Sequence, residues 1–262
     1  MSALTFDLFK TVLSFGPDLP VRYNFPTFVP AEFEAFEAEF AAYVEQAREF
    51  HALLPGNPAW GFFMPTREKL LEYFLTLRAI DFSKVQCYLD IASCTGLFPA
   101  YVLDRFSCKV LRQDLYYAAG SQVTDFTSPV TGSPHRVTTI GCDACELPVE
   151  DESIDVMTLH CSFEHFEGDA DRNFIREAHR VLRPGGSVLI IPFYCGGGHQ
   201  EVITGDRSVG CQYNRYYSPA TFRERVLAGV EDHWDLMMTY YETVAQYDPQ
   251  FYCAYSMMMT KR

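Results

Sequence analysis

The chain has 262 residues, of which 48% are hydrophobic, and this is enough apolar surface to bury the core of one large α/β domain. Its 21 Lys and Arg against 34 Asp and Glu give a net charge of −13, which repels phosphate backbones and argues against a nucleic-acid partner. We also expect no membrane span, no signal peptide in the segment from Met1 to Leu19, and a cytoplasmic protein whose nine scattered cysteines stay reduced.

The start of the chain predicts an arm followed by two helices. Pro and aromatic residues dominate the first 30 residues and predict an extended arm without a regular element. From Ala31, aromatic and small residues recur at helical spacing, at Phe33, Phe36, Phe40, Tyr43, Ala47 and Phe50. This stripe either packs on the core or forms a lid over a substrate cavity. A second helix is predicted over about Thr66 to Ala79, so we divide the chain into an arm and helical lid, 1–80, and a main domain, 81–262.

From Val85 onward, short apolar runs alternate with helical patterns, which is typical of a parallel sheet covered on both faces. The predicted strands are Cys87–Ile91, Lys109–Gln113, Arg136–Ile140, Ile154–Leu159 and Ser187–Pro192. A helix with an apolar stripe precedes the last strand, and Pro184-Gly185-Gly186 is expected to end it. An irregular loop is predicted over Tyr116–Pro134, and an antiparallel edge hairpin over Trp234–Tyr241 and Phe251–Thr260.

The first of these strands ends in a carboxylate and a turn of small residues, Asp90-Ile91-Ala92-Ser93-Cys94-Thr95-Gly96, which opens a helix. Such a turn lets the backbone approach a ligand closely, and the helix N-terminus and the acid help to position that ligand. Two further segments follow in order, Gly141–Pro148 and Arg180–Gly186. Together the three segments indicate a nucleotide-like pocket at the carboxyl ends of the strands.

The runs Asp90–Gly96, Gly141–Phe166 and Arg176–Ile191 resemble the class I S-adenosylmethionine (AdoMet)-dependent methyltransferases, in the small-molecule, type 11-like branch. The resemblance covers about Val85 to Pro192, and the terminal hairpin fits the reversed edge of that family. It implies an α/β, Rossmann-like, doubly wound sheet of seven mostly parallel strands with an antiparallel C-terminal edge hairpin. It also implies methyl transfer from AdoMet to an oxygen or nitrogen of a small-molecule acceptor, with S-adenosylhomocysteine (AdoHcy) as product.

The resemblance assigns cofactor contacts to the strand ends. Asp90 would face the methionine amino group, and the small residues that let the backbone come close are Ala92, Ser93, Cys94 and Gly96. Ala92 and Cys94 stand where the family usually has glycine, and the Cys94 sulfur would require the turn to shift. The contacts beyond this turn are assigned to Asp114 for the ribose hydroxyls, Leu115 beside it, Asp143 and Ala144 for adenine, and His160 and Cys161 near the transferring methyl.

Methyl transfer from a sulfonium requires alignment and exclusion of water, and a general base helps when the acceptor must lose a proton. We expect His160 to be that base, with His199 as second candidate, although either group could only orient the substrate. Four tyrosines are expected to line the acceptor site, namely Tyr194, Tyr213, Tyr216 and Tyr217. The last two could instead anchor a helix that begins near Ser218-Pro219.

No metal site is predicted. Cys142 and Cys145 have the spacing of a zinc or redox pair, but a second pair at matching spacing is absent. Related quinone-type O-methyltransferases carry a Glu-x-x-Glu-His run associated with metal, whereas this chain has Cys161 at its first position. Glu164 and His165 are therefore expected to stabilise a loop.

Two other functions remain open. The chain could be a catalytically weak protein that binds AdoMet or AdoHcy in a structural or regulatory role. A nicotinamide-dependent oxidoreductase would share the strand-turn-helix motif, but Asp90 before the turn, Asp143 and the terminal hairpin would then be unexplained. An exposed aromatic face on the lid would favour a homodimer.

Overall fold

In the computed structural model, which describes residues 15–16, 19–52, 65–94, 96–115, 126–127, 136–203, 213–241, 244 and 255–262, a nine-stranded sheet forms the centre. The strands are β1 Val21–Asn24, β2 Cys87–Ile91, β3 Lys109–Asp114, β4 Phe126–Thr127, β5 Arg136–Gly141, β6 Ile154–His160, β7 Leu182–Ile191, β8 Gln200–Ile203, β9 Tyr213–Tyr216, β10 Trp234–Tyr240 and β11 Tyr255–Lys261. The helices are α1 Pro30–Ala52, α2 Arg67–Ala79, α3 Phe98–Arg105, α4 Ala170–Val181 and α5 Pro219–Phe222, the last continuing as a π-helical segment, Arg223–Leu227.

The sheet runs in the order β1-β10-β11-β7-β6-β2-β3-β5-β4, and β8 and β9 form a separate hairpin. Strands β7, β6, β2, β3 and β5 are parallel to their neighbours, while β11 runs antiparallel to both β7 and β10. This is the predicted Rossmann-like sheet with a reversed C-terminal hairpin. The carboxyl ends of the parallel strands therefore meet at one edge, where open α/β sheets bind ligands.

Two short edge strands correct the sequence-based prediction of seven strands. Val21–Asn24, inside the predicted arm, pairs in parallel with β10, and Phe126–Thr127, inside the predicted loop, pairs antiparallel with β5. Most of the predicted loop, and residues 251–254 of the predicted last strand, lie outside the described residues. The first strand gains its backbone hydrogen bonds from a partner that is distant in sequence, and the second has only two residues, so local periodicity reveals neither.

Strand β7 begins earlier than predicted, and α4 ends at Val181, before the predicted stop. The segment Pro184-Gly185-Gly186 lies within β7, where the pairing with β6 shifts its register. Gly185 has φ +79, and a Cβ on Gly186 would lie 3.0 Å from the Asp155 carbonyl oxygen. The glycines thus form an irregularity in the strand, because one needs a left-handed backbone and the other a close approach to β6.

Two hydrophobic layers cover the sheet. Along β2, Tyr88 packs with α1, α2 and α3 on one face, whereas Leu89 packs with α4 and the segment after α5 on the other. The α1 stripe is buried, with Phe33 and Phe40 both 0% exposed, which confirms the interpretation that it packs on the core. The exposed aromatic face on which a homodimer was predicted is therefore not present on the described part of α1.

Residues before and after the predicted boundary at residue 80 share one core. Phe33 and Phe74 belong to the same buried cluster as Tyr88 and Val110. The division into an arm and helical lid, 1–80, and a main domain, 81–262, stays a prediction. Among the helices of the described residues, none combines the length and hydrophobicity needed to cross a bilayer.

Candidate active site

A cavity of about 370 Å³ opens at the carboxyl ends of β2 and β6, beneath α2. Its wall contains seven of the predicted site residues, namely Asp90, Ala92, Ser93, Cys94, Gly96, His160 and Cys161. The remaining wall comes from Pro65, Thr66, Lys69 and Tyr73 before the sheet and from Ile91 and Leu97. The fold thus brings the β2 turn and the end of β6 together, as the sequence predicts.

The turn after β2 has an unusual backbone for its residue types. Ala92 and Cys94 have φ values of 51° and 45°, in the left-handed region that favours glycine. The ends of the neighbouring strand hold this conformation: Gln113 Oε1 accepts from the Ala92 amide at 3.2 Å, and Asp114 Oδ2 accepts from the Cys94 amide at 2.8 Å. The Cys94 side chain is exposed at the cavity. The turn therefore accommodates both side chains through backbone strain and external hydrogen bonds.

Asp90, His160 and Thr76 form a buried chain of hydrogen bonds across the cavity floor. Asp90 Oδ1 lies 2.7 Å from the Thr158 hydroxyl and 3.1 Å from His160 Nδ1, and His160 Nε2 lies 3.0 Å from Thr76 Oγ1. Burial alone would raise the pKa of Asp90, but the bonds from His160 and Thr158 outweigh it and lower this pKa. Burial lowers the pKa of His160, and Asp90 offsets only part of that effect.

The protonation of His160 follows from these partners. An ionised Asp90 only accepts, so we assign the His160 proton to Nδ1, and Nε2 of the neutral ring then accepts from the Thr76 hydroxyl. Both ring nitrogens are engaged in this arrangement. A role for His160 as general base stays a prediction, and it requires release of the Thr76 hydrogen bond.

The predicted adenosine contacts lie outside the cavity wall, at the ends of the next strands. Asp114 is buried, and Leu115, which follows it, is 61% exposed. Asp143 is exposed and its Oδ1 accepts from the Cys145 amide at 2.8 Å, while Ala144 is buried. Asp114 ends β3 and Asp143 follows β5, which are the next two strands of the sheet beyond β2.

The loops after β7 hold the second predicted base and the tyrosines. His199 Nε2 lies 3.4 Å from Glu201 Oε1, and His199 does not belong to the cavity wall. Tyr217 is buried and donates to Asp171 Oδ2 at 2.5 Å, which confirms the alternative that it anchors the polypeptide before α5. Ser218 caps α5 through a capping box with Thr221.

Helix α2 contributes site residues that the sequence reasoning missed. Lys69 Nζ donates to Glu72 Oε2 at 2.7 Å and to the His160 carbonyl oxygen at 2.9 Å. Burial opposes the charge on Lys69, but Glu72 outweighs this effect and the pKa of Lys69 is raised. The sequence signal was a Lys and a Glu three residues apart on a predicted helix, which is more often a solvent-exposed pair.

A second acidic group lies at the Cys161 end of the cavity. Cys161, with φ 50°, donates its thiol to Glu164 Oε1 at 3.0 Å. Burial, followed by the charges of Glu164 and Glu72, raises the pKa of Cys161 well above its ordinary value. This thiol therefore stays protonated, and it is a poor nucleophile or metal ligand.

The thiols of Cys142 and Cys145 also stay protonated. Burial raises the pKa of Cys142 to about 11 and that of Cys145 to about 12, and the Cys145 thiol donates to the Ala170 carbonyl oxygen. Within the described residues, no group of three or more His, Cys, Asp or Glu side chains is placed to hold a metal ion.

Comparison with known proteins gives a match to one family model over part of the chain and to solved structures with the same fold. Residues 89–190 match a family model described as a methyltransferase domain. No curated protein matches the sequence.

Three solved structures are similar to the chain. The 1,6-didemethyltoxoflavin-N1-methyltransferase of Burkholderia thailandensis is 18% identical, with 90% of this chain and 91% of that chain covered and a TM-score of 0.48. An S-adenosylmethionine dependent methyltransferase from Mesorhizobium loti is 14% identical over 73% of this chain and 98% of that chain, with a TM-score of 0.50. The phosphoethanolamine N-methyltransferase 1 of Haemonchus contortus is 12% identical over 87% of this chain and 49% of that chain, with a TM-score of 0.51. The last two share their fold with this chain.

Proposed function

We propose that the chain is a class I AdoMet-dependent methyltransferase and that its acceptor is a small molecule methylated on oxygen or nitrogen. AdoMet, its cofactor, supplies an electrophilic methyl group on a sulfonium and leaves as AdoHcy. The observation that carries the proposed site is the cavity at the carboxyl ends of β2 and β6, whose wall contains seven of the predicted residues. Its volume of about 370 Å³ lies in the range of small-molecule sites.

The charges of the cavity wall fit the methionine part of AdoMet, which carries an ammonium and a carboxylate. The wall has one carboxylate, Asp90, and one ammonium, Lys69, since the lowered pKa keeps His160 neutral. Thr158 and His160 both bond to Oδ1 of Asp90, and we propose that this carboxylate also receives the cofactor ammonium. Two of the three Lys69 donors are used within the chain, and we propose that the third binds the cofactor carboxylate.

The β2 turn also fits a closely approaching ligand. Ser93 Oγ lies in the wall, buried and without a well-formed hydrogen bond among the described residues. A Cβ on Gly96 would lie 3.0 Å from the Ser93 carbonyl oxygen and 3.3 Å from Tyr73 Oη, so glycine keeps this space open. We propose that Ala92, Ser93, Cys94 and Gly96 contact the cofactor through this surface.

The adenosine contacts remain those that the resemblance assigned. We propose that Asp114 accepts from the ribose hydroxyls, with Leu115 beside it, and that Asp143 and Ala144 bind adenine. The bond from the Cys94 amide already fixes Asp114, so little ordering of this carboxylate is needed when ribose binds.

The residues of the chain promote transfer mainly by alignment and by excluding water. Tyr73 and Phe98 stack with ring centroids 4.7 Å apart, and each lies edge-on to His160 at 5.1 Å, so apolar rings surround His160 on this side of the cavity. We propose His160 as the first candidate for the general base and His199 as the second. We also propose that Cys161 lies near the transferring methyl. We propose a cytoplasmic location because the seven cysteines that the structure describes form no disulfide.

Calorimetry with AdoMet and with NAD tests the cofactor, and detection of AdoHcy with a panel of small-molecule acceptors tests turnover. Lys69→Met should weaken AdoMet binding at least tenfold, since a charge-assisted hydrogen bond contributes about 1.5 to 3 kcal/mol. Lys69→Arg should retain most of the affinity. Lys84→Met, at a lysine that is 82% exposed, is the matched control and should bind like the wild type.

Three results would change the proposal. NAD binding without AdoMet binding would overturn it. Equal affinities in Lys69→Met and Lys84→Met would remove Lys69 from the site. AdoMet binding without turnover of any acceptor would favour the alternative, a structural or regulatory AdoMet-binding protein.

A further inference from the structure

Two buried carboxylates approach the cavity at its Cys161 end. Glu72, on α2, is 1% exposed, and Glu164, in the short 3-10 helix Phe163–His165, is 4% exposed. Each is bonded to a residue of the cavity wall, Glu72 to Lys69 and Glu164 to the Cys161 thiol. The two carboxylates therefore lie one hydrogen bond behind the same part of the wall.

Glu164 has no full compensation for its charge. Its Oε1 receives only the weak thiol donor of Cys161, and its Oε2 is buried without a hydrogen-bond partner among the described residues. His165 Nε2 lies 3.8 Å from Glu164 Oε1, and its Nδ1 is bonded to the Tyr213 carbonyl oxygen. Lys69, the nearby ammonium, is paired with Glu72. Buried carboxylates are rarely left in this state unless a ligand uses them.

An aromatic wall adjoins this carboxylate. Strand β9 packs against the 3-10 helix that carries Glu164. Tyr216, on β9, is half-buried, and its pKa is raised first by burial and then by the negative charge of Glu164. Its ring meets Tyr194 edge-on, with centroids 5.4 Å apart. A carboxylate near an electron-rich ring is a favourable environment for an organic ammonium group.

We propose that the methyl acceptor carries an ammonium group, and that Glu164 and the ring of Tyr216 bind this group at the Cys161 end of the cavity. The inference rests on the proposed function and names its substrate class. Burial, with Lys69 opposing it and Glu164 adding to it, raises the pKa of Glu72. An ammonium group bound beside Glu164 would offset this buried negative charge.

Thermal unfolding in the presence of AdoHcy tests this site with ethylammonium chloride as the probe and NaCl at equal concentration as the reference. The wild type should gain about 2 to 4 °C in Tm from ethylammonium over NaCl, as expected for a ligand in roughly tenfold excess over its Kd. Glu164→Gln keeps the shape and an acceptor oxygen for Cys161 but removes the charge, and should lose this gain. Glu224→Gln, at an exposed glutamate outside the site, is the matched control and should keep it.

Glu164→Gln should also be at least as stable as the wild type at about pH 8 without the probe, because it removes a buried uncompensated charge. A lower Tm for this variant would show a structural role for the carboxylate and overturn the inference. So would an ethylammonium shift that is absent in the wild type or equal in wild type and variant. If Glu164→Gln does not fold, Tyr216→Leu provides the second test, since it should reduce the shift by at least half.

Calorimetry with AdoMet separates this inference from the proposed function. AdoMet binding without an ethylammonium effect would refute only the ammonium site. Failure of the wild type to bind AdoMet would refute the proposed function, whatever the probe does.

Discussion

Replacement of Cys94 by glycine should stabilise the protein and tighten AdoMet binding. Cys94 has φ 45°, and a left-handed backbone costs an L-residue about 1 to 2 kcal/mol. Glycine removes this strain but loses about 0.5 to 1 kcal/mol through its greater freedom in the unfolded chain. The net gain is about 0.5 to 1 kcal/mol, which corresponds to roughly 2 °C in Tm for a chain of this size.

A matched variant, Cys94→Ala, separates the backbone from the sulfur. Alanine keeps the Cβ, and hence the strain, but removes the sulfur that is exposed at the cavity. Differential scanning calorimetry should show the stability gain in Cys94→Gly alone. Titration with AdoMet should show tighter binding in both variants if the sulfur crowds the cofactor. If neither variant binds more tightly, the crowding argument is refuted, and if glycine gives no gain in Tm, the strain argument is refuted.

Three further predictions concern buried polar groups. Asp114→Ala should lose at least tenfold in AdoMet affinity, since it removes charge-assisted hydrogen bonds worth about 1.5 to 3 kcal/mol, and unchanged calorimetric titrations would remove Asp114 from the site. Asp171→Asn should cost about 3 to 5 kcal/mol in urea unfolding because it removes the buried carboxylate shared by Arg215, 2.6 Å away, and Arg225, and leaves the buried Arg215 with only the half-exposed Glu201. The control Asp169→Asn, at a side chain that is 64% exposed, should cost about 0 to 1 kcal/mol, and equal losses would contradict the reasoning. Burial lowers the pKa of His160 in the folded chain, so the unfolded chain binds more protons at pH values near that pKa. The free energy of unfolding should therefore fall as the pH decreases from about 7 through 6.5 toward the lowered pKa. His160→Gln should lose less stability over this pH range, and equal losses would show that other groups control it.

The sequence predicted the sheet well because burial on both faces requires continuous apolar runs. The four interior parallel strands β2, β3, β5 and β6 begin at the residues predicted, and each ends at most one residue later. The start of β7 was predicted wrongly, since Pro184 and two glycines normally end a helix, and only the pairing with β6 makes them part of a strand. Strand β1 was missed because its partner, β10, lies more than 200 residues away in the chain.

The candidate site, like the sheet, has one part that the sequence predicted and another part that it did not. Asp90 and the small residues after it form a local motif, since one strand and its turn place them together, and the structure brings them to the cavity. Lys69 and the carbonyl group of His160, which are bonded at 2.9 Å, are 91 residues apart, and no local pattern relates them. The engagement of both His160 nitrogens was likewise invisible in the sequence, where histidine at a strand end is typical of a general base.

The sequence by itself determined which segments become strands, in what order their carboxyl ends meet, and which acids end them. It could do so because burial of apolar residues in a strand leaves a pattern that is visible over a few consecutive residues. The tertiary structure alone decided which of those side chains face the cavity and which form hydrogen bonds with neighbouring residues instead. Packing α2 over β6 sets that outcome, because each buried polar atom must find a partner among groups that only the folded chain brings within reach.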